Sequence, residues 1–443
     1  MSQSQSADTL SKNDDLKPLY VKSIVNSLGS GAVSPFLGVY AVEQLNASAS
    51  EMGWFQSISN LAPNMMQVAW GKFSDKIGRR IPFIIIGGLI TAVLWIPLMF
   101  VTSASQLIMV IAVQSLLGSM ATPTWTALIG DLVHLKKRGI TTAIINRSAA
   151  VGSLLATLAA GYLMVMIKGT LQQALLIPLL IAVFCGVASS LVMILIHEKP
   201  KPNSNSQANG SIFSINDVVK QVRSNPDFIR FSVASAIFGF FMSLGWPLFS
   251  ITLMEVLNPP ASMLEVALMS VIQGAVTITL QPWGGKLVDR VGRKYLIVVS
   301  RLGLILVPIF YSLASSIYHL YLLNLILGIL TAFGDIAMLA YLLDVTQEEF
   351  RGTFTAFYNL VLGIFYFAGS LAGGYLANYL VGIFGLVFAL QLVYALSAVG
   401  RAFGALTFIT LKEPYRYPST LRKELRNMVG RLPWMPERGP TQP

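Results

Sequence analysis

Long apolar runs alternate with short charged ones along almost the whole chain. Runs near 19–42, 51–71, 81–101, 107–129, 141–166, 175–196, 227–253, 262–285, 295–314, 318–342, 353–381 and 386–410 are each close to or above the length needed to cross a lipid core as a helix, which is about 20 residues. The pattern predicts an all-α membrane protein of twelve transmembrane helices. An even number of spans places both termini on one side of the membrane.

Composition supports lipid as the solvent. Of the 443 residues 54% are hydrophobic and 12% charged, against about 25% charged in a soluble domain. The net charge of +11 would also suit a nucleic-acid partner, but its placement excludes one. Of the 31 Lys and Arg residues, only Lys168 falls in a loop on the outer side. Most others lie in the tails or in loops on the opposite side, which the positive-inside rule makes cytoplasmic. The expected location is the cytoplasmic membrane, multi-pass, with both termini inside. No cleavable signal peptide is evident, and residues 1–18 read as a disordered polar tail. Cys185 is the single cysteine and His134, His197 and His319 are scattered, so no metal set is expected. Without a nucleotide loop or a nucleophile–base pair, no enzyme is expected.

The chain repeats itself. SPFLGVYAVEQLN, Ser34 to Asn46, returns as WPLFSITLMEVLN, Trp246 to Asn258. Asp131, Arg138-Gly139 and Asn146 return as Asp344, Arg351-Gly352 and Asn359. The domains expected are therefore two six-helix bundles, 19–196 and 227–411, joined by a cytoplasmic linker at 197–226 and followed by a basic tail at 412–443. Parallel six-helix repeats are a transporter architecture with the substrate site at the midplane between the halves.

The most specific repeat is charged. GKFSDKIGRR, Gly71 to Arg80, returns as GKLVDRVGRK, Gly285 to Lys294. Gly78 and Gly292 suit a positive-φ turn between two helices, and Arg79, Arg80, Arg293 and Lys294 hold the loop in the cytoplasm. Neither task requires Asp75 or Asp289, which can pair with arginine or cap a helix. Both decapeptides satisfy G-x-x-x-D-R/K-x-G-R/K-R/K, between spans two and three and between spans eight and nine. On this pattern the sequence resembles the major facilitator superfamily across nearly all of residues 19–412. The resemblance implies that these groups form a cytoplasmic gate locking the halves while the protein faces outward. Gly71, Asp75, Gly78, Arg79, Arg80, Asp131 and Arg138 would contribute from one half; Gly285, Asp289, Gly292, Arg293, Lys294, Asp344 and Arg351 would contribute from the other. The pairs expected are Asp131 with Arg79 and Asp344 with Arg293.

Polar residues inside spans mark either a pathway or interhelical hydrogen bonds. Span one carries Asn26, Ser30 and Ser34; span two carries Asn60, Asn64 and Gln67; span four carries Gln114, Gly118, Thr122 and Trp125. Asn146, Ser153 and Thr157 in span five repeat the spacing of Asn359, Tyr366 and Ser370 in span eleven, and matching faces favour a cavity lining. Met242, Trp246, Trp125 and Tyr366 would add broad contacts. Asp335 lies about 13 Å inside span ten, and no other carboxylate sits as deep. It is either a proton carrier or a structural partner of Arg401. Arg147 either snorkels or joins the gate, Arg301 is expected to snorkel, and Asp335, Arg401 and Arg147 are the candidates for proton coupling.

Leu28-Gly29 followed by Pro35-Phe36-Leu37 resembles the first-span motif of drug exporters within the superfamily. Two of that branch's motifs are altered. Gln114 stands where R-x-x-q-G has arginine, and Ala156-Thr157 replaces the Gly-Pro of the fifth-span antiporter motif. The resemblance implies a monomeric secondary transporter driven by an ion gradient, protons first, without ATP or a bound cofactor. Its leading function is proton-coupled export of drug-like or amphipathic compounds. Uptake of a sugar, organic acid or other small solute is the alternative, and a transporter-like receptor is the alternative of another class.

Overall fold

In the computed structural model, residues 16–196, 198, 220–347 and 350–414 are described. His197 and nearly all of the tails and linker expected at 1–18, 197–226 and 412–443 lie outside them. Among the described residues there are no strands, and the chain forms twelve helical segments. The first, α1, consists of Lys17–Val33, a 3-10 turn at Ser34–Phe36, and Leu37–Glu43. Next come α2 (Ala49–Ile77), α3 (Ile81–Phe100), α4 (Ala104–Leu132), α5 (Leu135–Met166) and α6 (Leu171–Leu195). The second half has α7 (Pro226–Val256), α8 (Met263–Val291), α9 (Arg293–Leu313), α10 (Ile317–Asp344), α11 (Arg351–Phe384) and α12 (Leu386–Thr410). Ten of these are long and apolar enough to cross a membrane by length and composition; α1 and α2 fall outside that set and pack beside them.

Prolines break the two helices that begin the halves. Proline has no N–H, so it frees the carbonyl four residues earlier. Pro35 frees Gly31, whose carbonyl accepts from Thr157 Oγ1 at 2.7 Å. Pro247 frees Ser243, whose carbonyl accepts from Ser370 Oγ at 3.3 Å. Thr157 and Ser370 are repeat-related and buried, so these positions repair broken helices. That corrects the expectation of a cavity lining along the full length of both faces.

The packing differs between the two ends of the molecule. At the face away from the charged loops, one apolar core is shared by both halves. It runs from Phe36, Tyr40 and Leu98 to Leu248, Ile251 and Leu390. Towards the charged loops, here called the basic face, each half keeps its own core. Leu19, Ile84, Leu128 and Ile145 build one; Phe228, Phe231, Tyr341 and Phe408 build the other.

Two helix pairs form the seam between halves. On α2 and α11, Gly53 lies against Gly374 and Ser370, Ser57 Oγ donates to the Phe367 carbonyl at 2.8 Å, and Trp54 Nε1 donates to Tyr375 Oη at 3.0 Å. On α5 and α8, Gly161 lies against Ala267, and Leu154 reaches Gly274. Small residues allow these close approaches. Nearer the basic face the crowding ends. A side chain at Gly139, Gly285 or Gly352 would meet nothing within 4 Å, and one at Gly71 would meet only Pro123 at 3.9 Å. The seam is closed on one side of the membrane and parted on the other.

Candidate functional site

At the basic face each half ties its charged loop to its own helices. Gly78 and Gly292 have φ of 70° and 104°, the positive-φ turns that the decapeptides anticipate. Asp131 accepts from Arg80 Nε at 2.7 Å, so its partner is Arg80 and not the expected Arg79. The two turns differ in length by two residues. α8 and α9 share Gly292 as the residue between them, whereas Gly78, Arg79 and Arg80 separate α2 from α3. Arg80 therefore occupies the place of Arg293, which donates to Asp344 at 2.9 Å and lies 3.3 Å from the exposed Asp289. The Arg138 guanidinium donates to the Gly130 carbonyl. The Asp75 side chain lies outside the described ones.

Two carboxylates escaped the sequence reading. Glu198 accepts from the backbone N–H of Arg80 at 2.6 Å and of Ile81 at 3.0 Å. Glu413 does the same for Arg293 at 3.2 Å and Lys294 at 2.8 Å. Each caps the free N–H groups at the start of α3 or α9, where the helix dipole favours a negative charge. The signal was present as HEKP and KEPY after spans six and twelve. Each half is thus a charge unit joining its third helix to its fourth and sixth, and the pairs Arg80–Asp131, Arg293–Asp344 and Arg293–Asp289 each lie within one half.

Between the parted halves lies a cleft. Asn26 and Ser34 on α1, Thr122 on α4, Asn146 and Arg147 on α5, and Asp335 on α10 are all exposed. Arg147 shares a stripe with Leu154 and Gly161 at seven-residue spacing. Those two touch α8, so Arg147 lies where α5 and α8 have separated. Ser30 is half-buried, its hydroxyl turned to the Ser27 carbonyl at 3.4 Å. Asn64 lies on the seam against Gly363, and Asn359 is half-buried. On the second half, Trp246 and Tyr366 pack at 5.0 Å between ring centroids.

Other expected members are structural. Gln114 is buried and donates to the Thr91 carbonyl at 3.1 Å, so it joins α4 to α3 and leaves the pathway. Arg401 is 1% exposed. It donates to Ser397 Oγ at 3.2 Å, to the Leu304 carbonyl at 2.9 Å and to the Met242 carbonyl at 2.9 Å. These bonds tie α12 to α9 and α7, and no pairing with Asp335 remains. The cation within electrostatic reach of Asp335 is Arg301. Its guanidinium lies 5.4 Å from the centre of the Phe238 ring, where a snorkelling side chain would have turned to the membrane surface.

The family model of the Major Facilitator Superfamily matches residues 19–260 and 231–439. The chain belongs to the major facilitator superfamily. It is a multi-pass membrane transporter and no enzyme. Among its relatives is the multi-drug resistance efflux pump PmrA of Streptococcus pneumoniae, 21% identical over 407 residues, covering 90% of this chain and 98% of the relative. Another is the putative niacin/nicotinamide transporter NiaP of Bacillus subtilis, 26% identical over 395 residues, covering 85% and 91%. Among solved structures, the nucleoside transporter NupG superposes with a TM-score of 0.68 at 17% identity, covering 89% of this chain and 98% of that one. That identity supports the shared fold alone.

Proposed function

We propose that this superfamily member exports drug-like or amphipathic compounds across the cytoplasmic membrane as a monomer, by proton-coupled alternating access. The positive-inside rule assigns the basic face to the cytoplasm, so the cleft is an inward-facing state with both termini inside. The observation that carries the coupling is Asp335. Of the 20 Asp and Glu residues it is the one at membrane depth, and it is exposed in the cleft. An intramembrane carboxylate open to the pathway is suited to taking a proton from one side and releasing it to the other. The relationship to PmrA supports export.

A second reading is uptake or facilitated passage of a small solute. Gln114 favours it, because the residue in the antiporter arginine's place is engaged with Thr91; the relationship to NiaP favours it too. The test is transport by purified protein in liposomes under imposed pH gradients, using a panel of drug-like compounds, sugars and organic acids. Asp335→Asn is expected to abolish gradient-driven accumulation and to spare exchange. Accumulation that is unchanged in this variant removes Asp335 from coupling. Binding without any movement of substrate points to a receptor.

A further inference from the structure

The charges at membrane depth in the cleft do not balance. Asp335 has Arg301 within reach, and Arg401 is tied off by backbone and hydroxyl oxygens. On the first half, Glu43 ends α1 and Glu51 opens α2 at the far face, while Asp131 and Glu198 are engaged at the basic face. Between them that half carries Lys22, half-buried on α1, and Arg147, exposed on α5. Among the described residues Lys22 makes no ion pair.

Lys22 is more than a topology charge. It continues the polar stripe of Asn26, Ser30 and Ser34 by one turn at i−4 spacing, so all four follow one side of α1. It lies about 8 Å in from Lys17, the first residue of the helix. A lysine at this depth can snorkel to the surface, but Nζ instead lies 4.1 Å from the centre of the Trp125 ring. Trp125 is itself packed on the Leu19–Ile145 core. The ammonium is held over a fixed aromatic surface, one turn from the exposed Asn26, with donors left for a further acceptor.

We propose that the transported compound is an amphipathic organic anion, a carboxylate or sulfonate on an apolar body, with its charge taken by Lys22 beside Trp125. This names the substrate class of the export reading above and rests on it. A cation entering the cleft would meet Lys22, Arg147 and Arg301 against one carboxylate; an anion meets the reverse, and an apolar-walled cleft concentrates the ion it attracts. The Trp246–Tyr366 pair supplies apolar surface for the body of the compound.

A size-matched trio of 1-naphthoate, 1-naphthamide and 1-naphthylmethylammonium tests the sign of charge, by calorimetric binding to the purified full chain in one detergent. A charge-assisted hydrogen bond is expected to favour naphthoate over naphthamide by roughly tenfold, with the ammonium compound weakest. Lys22→Gln should erase that preference while leaving naphthamide binding in place, and Lys22→Arg should keep it. An unchanged preference in Lys22→Gln, tightest binding of the ammonium compound, or no naphthoate binding at millimolar concentration each overturns the inference. The coupling reading fails separately. Lys22-dependent naphthoate binding with accumulation that ignores Asp335→Asn removes the proton carrier and keeps the anion site. Gradient-driven accumulation of the ammonium compound that ignores Lys22→Gln does the reverse.

Discussion

Replacing Arg401 by methionine separates a structural arginine from a coupling one. Methionine keeps much of the volume and removes three donors: those reaching Ser397, Leu304 and Met242. Hydrogen bonds from a charged group are worth about 1.5–3 kcal/mol each, so the gross loss is about 5–9 kcal/mol. Removing a guanidinium that is 1% exposed also returns several kcal/mol of desolvation cost. The Leu304 carbonyl keeps the Val307 N–H at 3.3 Å, which softens the loss at that position. A net destabilisation of about 3 kcal/mol follows, or roughly 10 °C in melting temperature for a unit the size of one half. The assay is fluorescence-detected thermal unfolding of the purified variant, with transport normalised to folded protein. Asp335→Asn should add to Arg401→Met within about 0.5 kcal/mol, as expected of groups without a shared partner. An unchanged melting point with transport abolished, or strong non-additivity with Asp335→Asn, would refute the structural assignment.

The proline-broken helices and the cleft give two further expectations. Thr157→Val and Ser370→Ala should each destabilise by about 1–2 kcal/mol in the same melting assay, because each takes a side-chain donor from a buried carbonyl. A cost confined to one half would break the equivalence of the two repairs. With Cys185 replaced by serine, Asn146→Cys should react with a membrane-impermeant maleimide added at the basic face and stay protected from the opposite face; equal labelling from both sides would rule out the closed seam.

The repeat made most of the fold legible. Twelve apolar runs, the two decapeptides and the matched Asn146 and Asn359 define two bundles in the same orientation before any coordinate is known. Local chemistry was read less well, because sequence spacing records which side of a helix a residue takes and omits what packs there. Thr157 and Ser370 share a helical face with Asn146 and Asn359. The outer pair meets carbonyls freed by Pro35 and Pro247, whereas Asn146 opens into the cleft. Arg401 was the expected partner of Asp335 and Arg301 was expected to snorkel; packing of α12 against α7 and α9 ties off the first, and the second is the cation in reach. Lys22 was absorbed into the positive-inside count although it continues a polar stripe already in view, since a charge total carries no direction.

The gate illustrates the same limit from the other side. Asp131, Arg80 and Glu198 form one charged unit and Asp344, Arg293 and Glu413 form its repeat, each tying an arginine-bearing helix start to two carboxylates. Links within a half keep that half rigid as it moves, and by themselves they cannot hold the halves together. If the decapeptides lock the outward-facing state, the lock must come from groups that are apart in the present one. The first glycine of each motif has room beside it on the parted side, with nothing within 4 Å of a side chain at Gly285 and only Pro123 at 3.9 Å from one at Gly71, and such an approach would use that room. In this state the paired charges shape each half, and bringing the two charged ends together is the movement that would turn two rigid units into a gate.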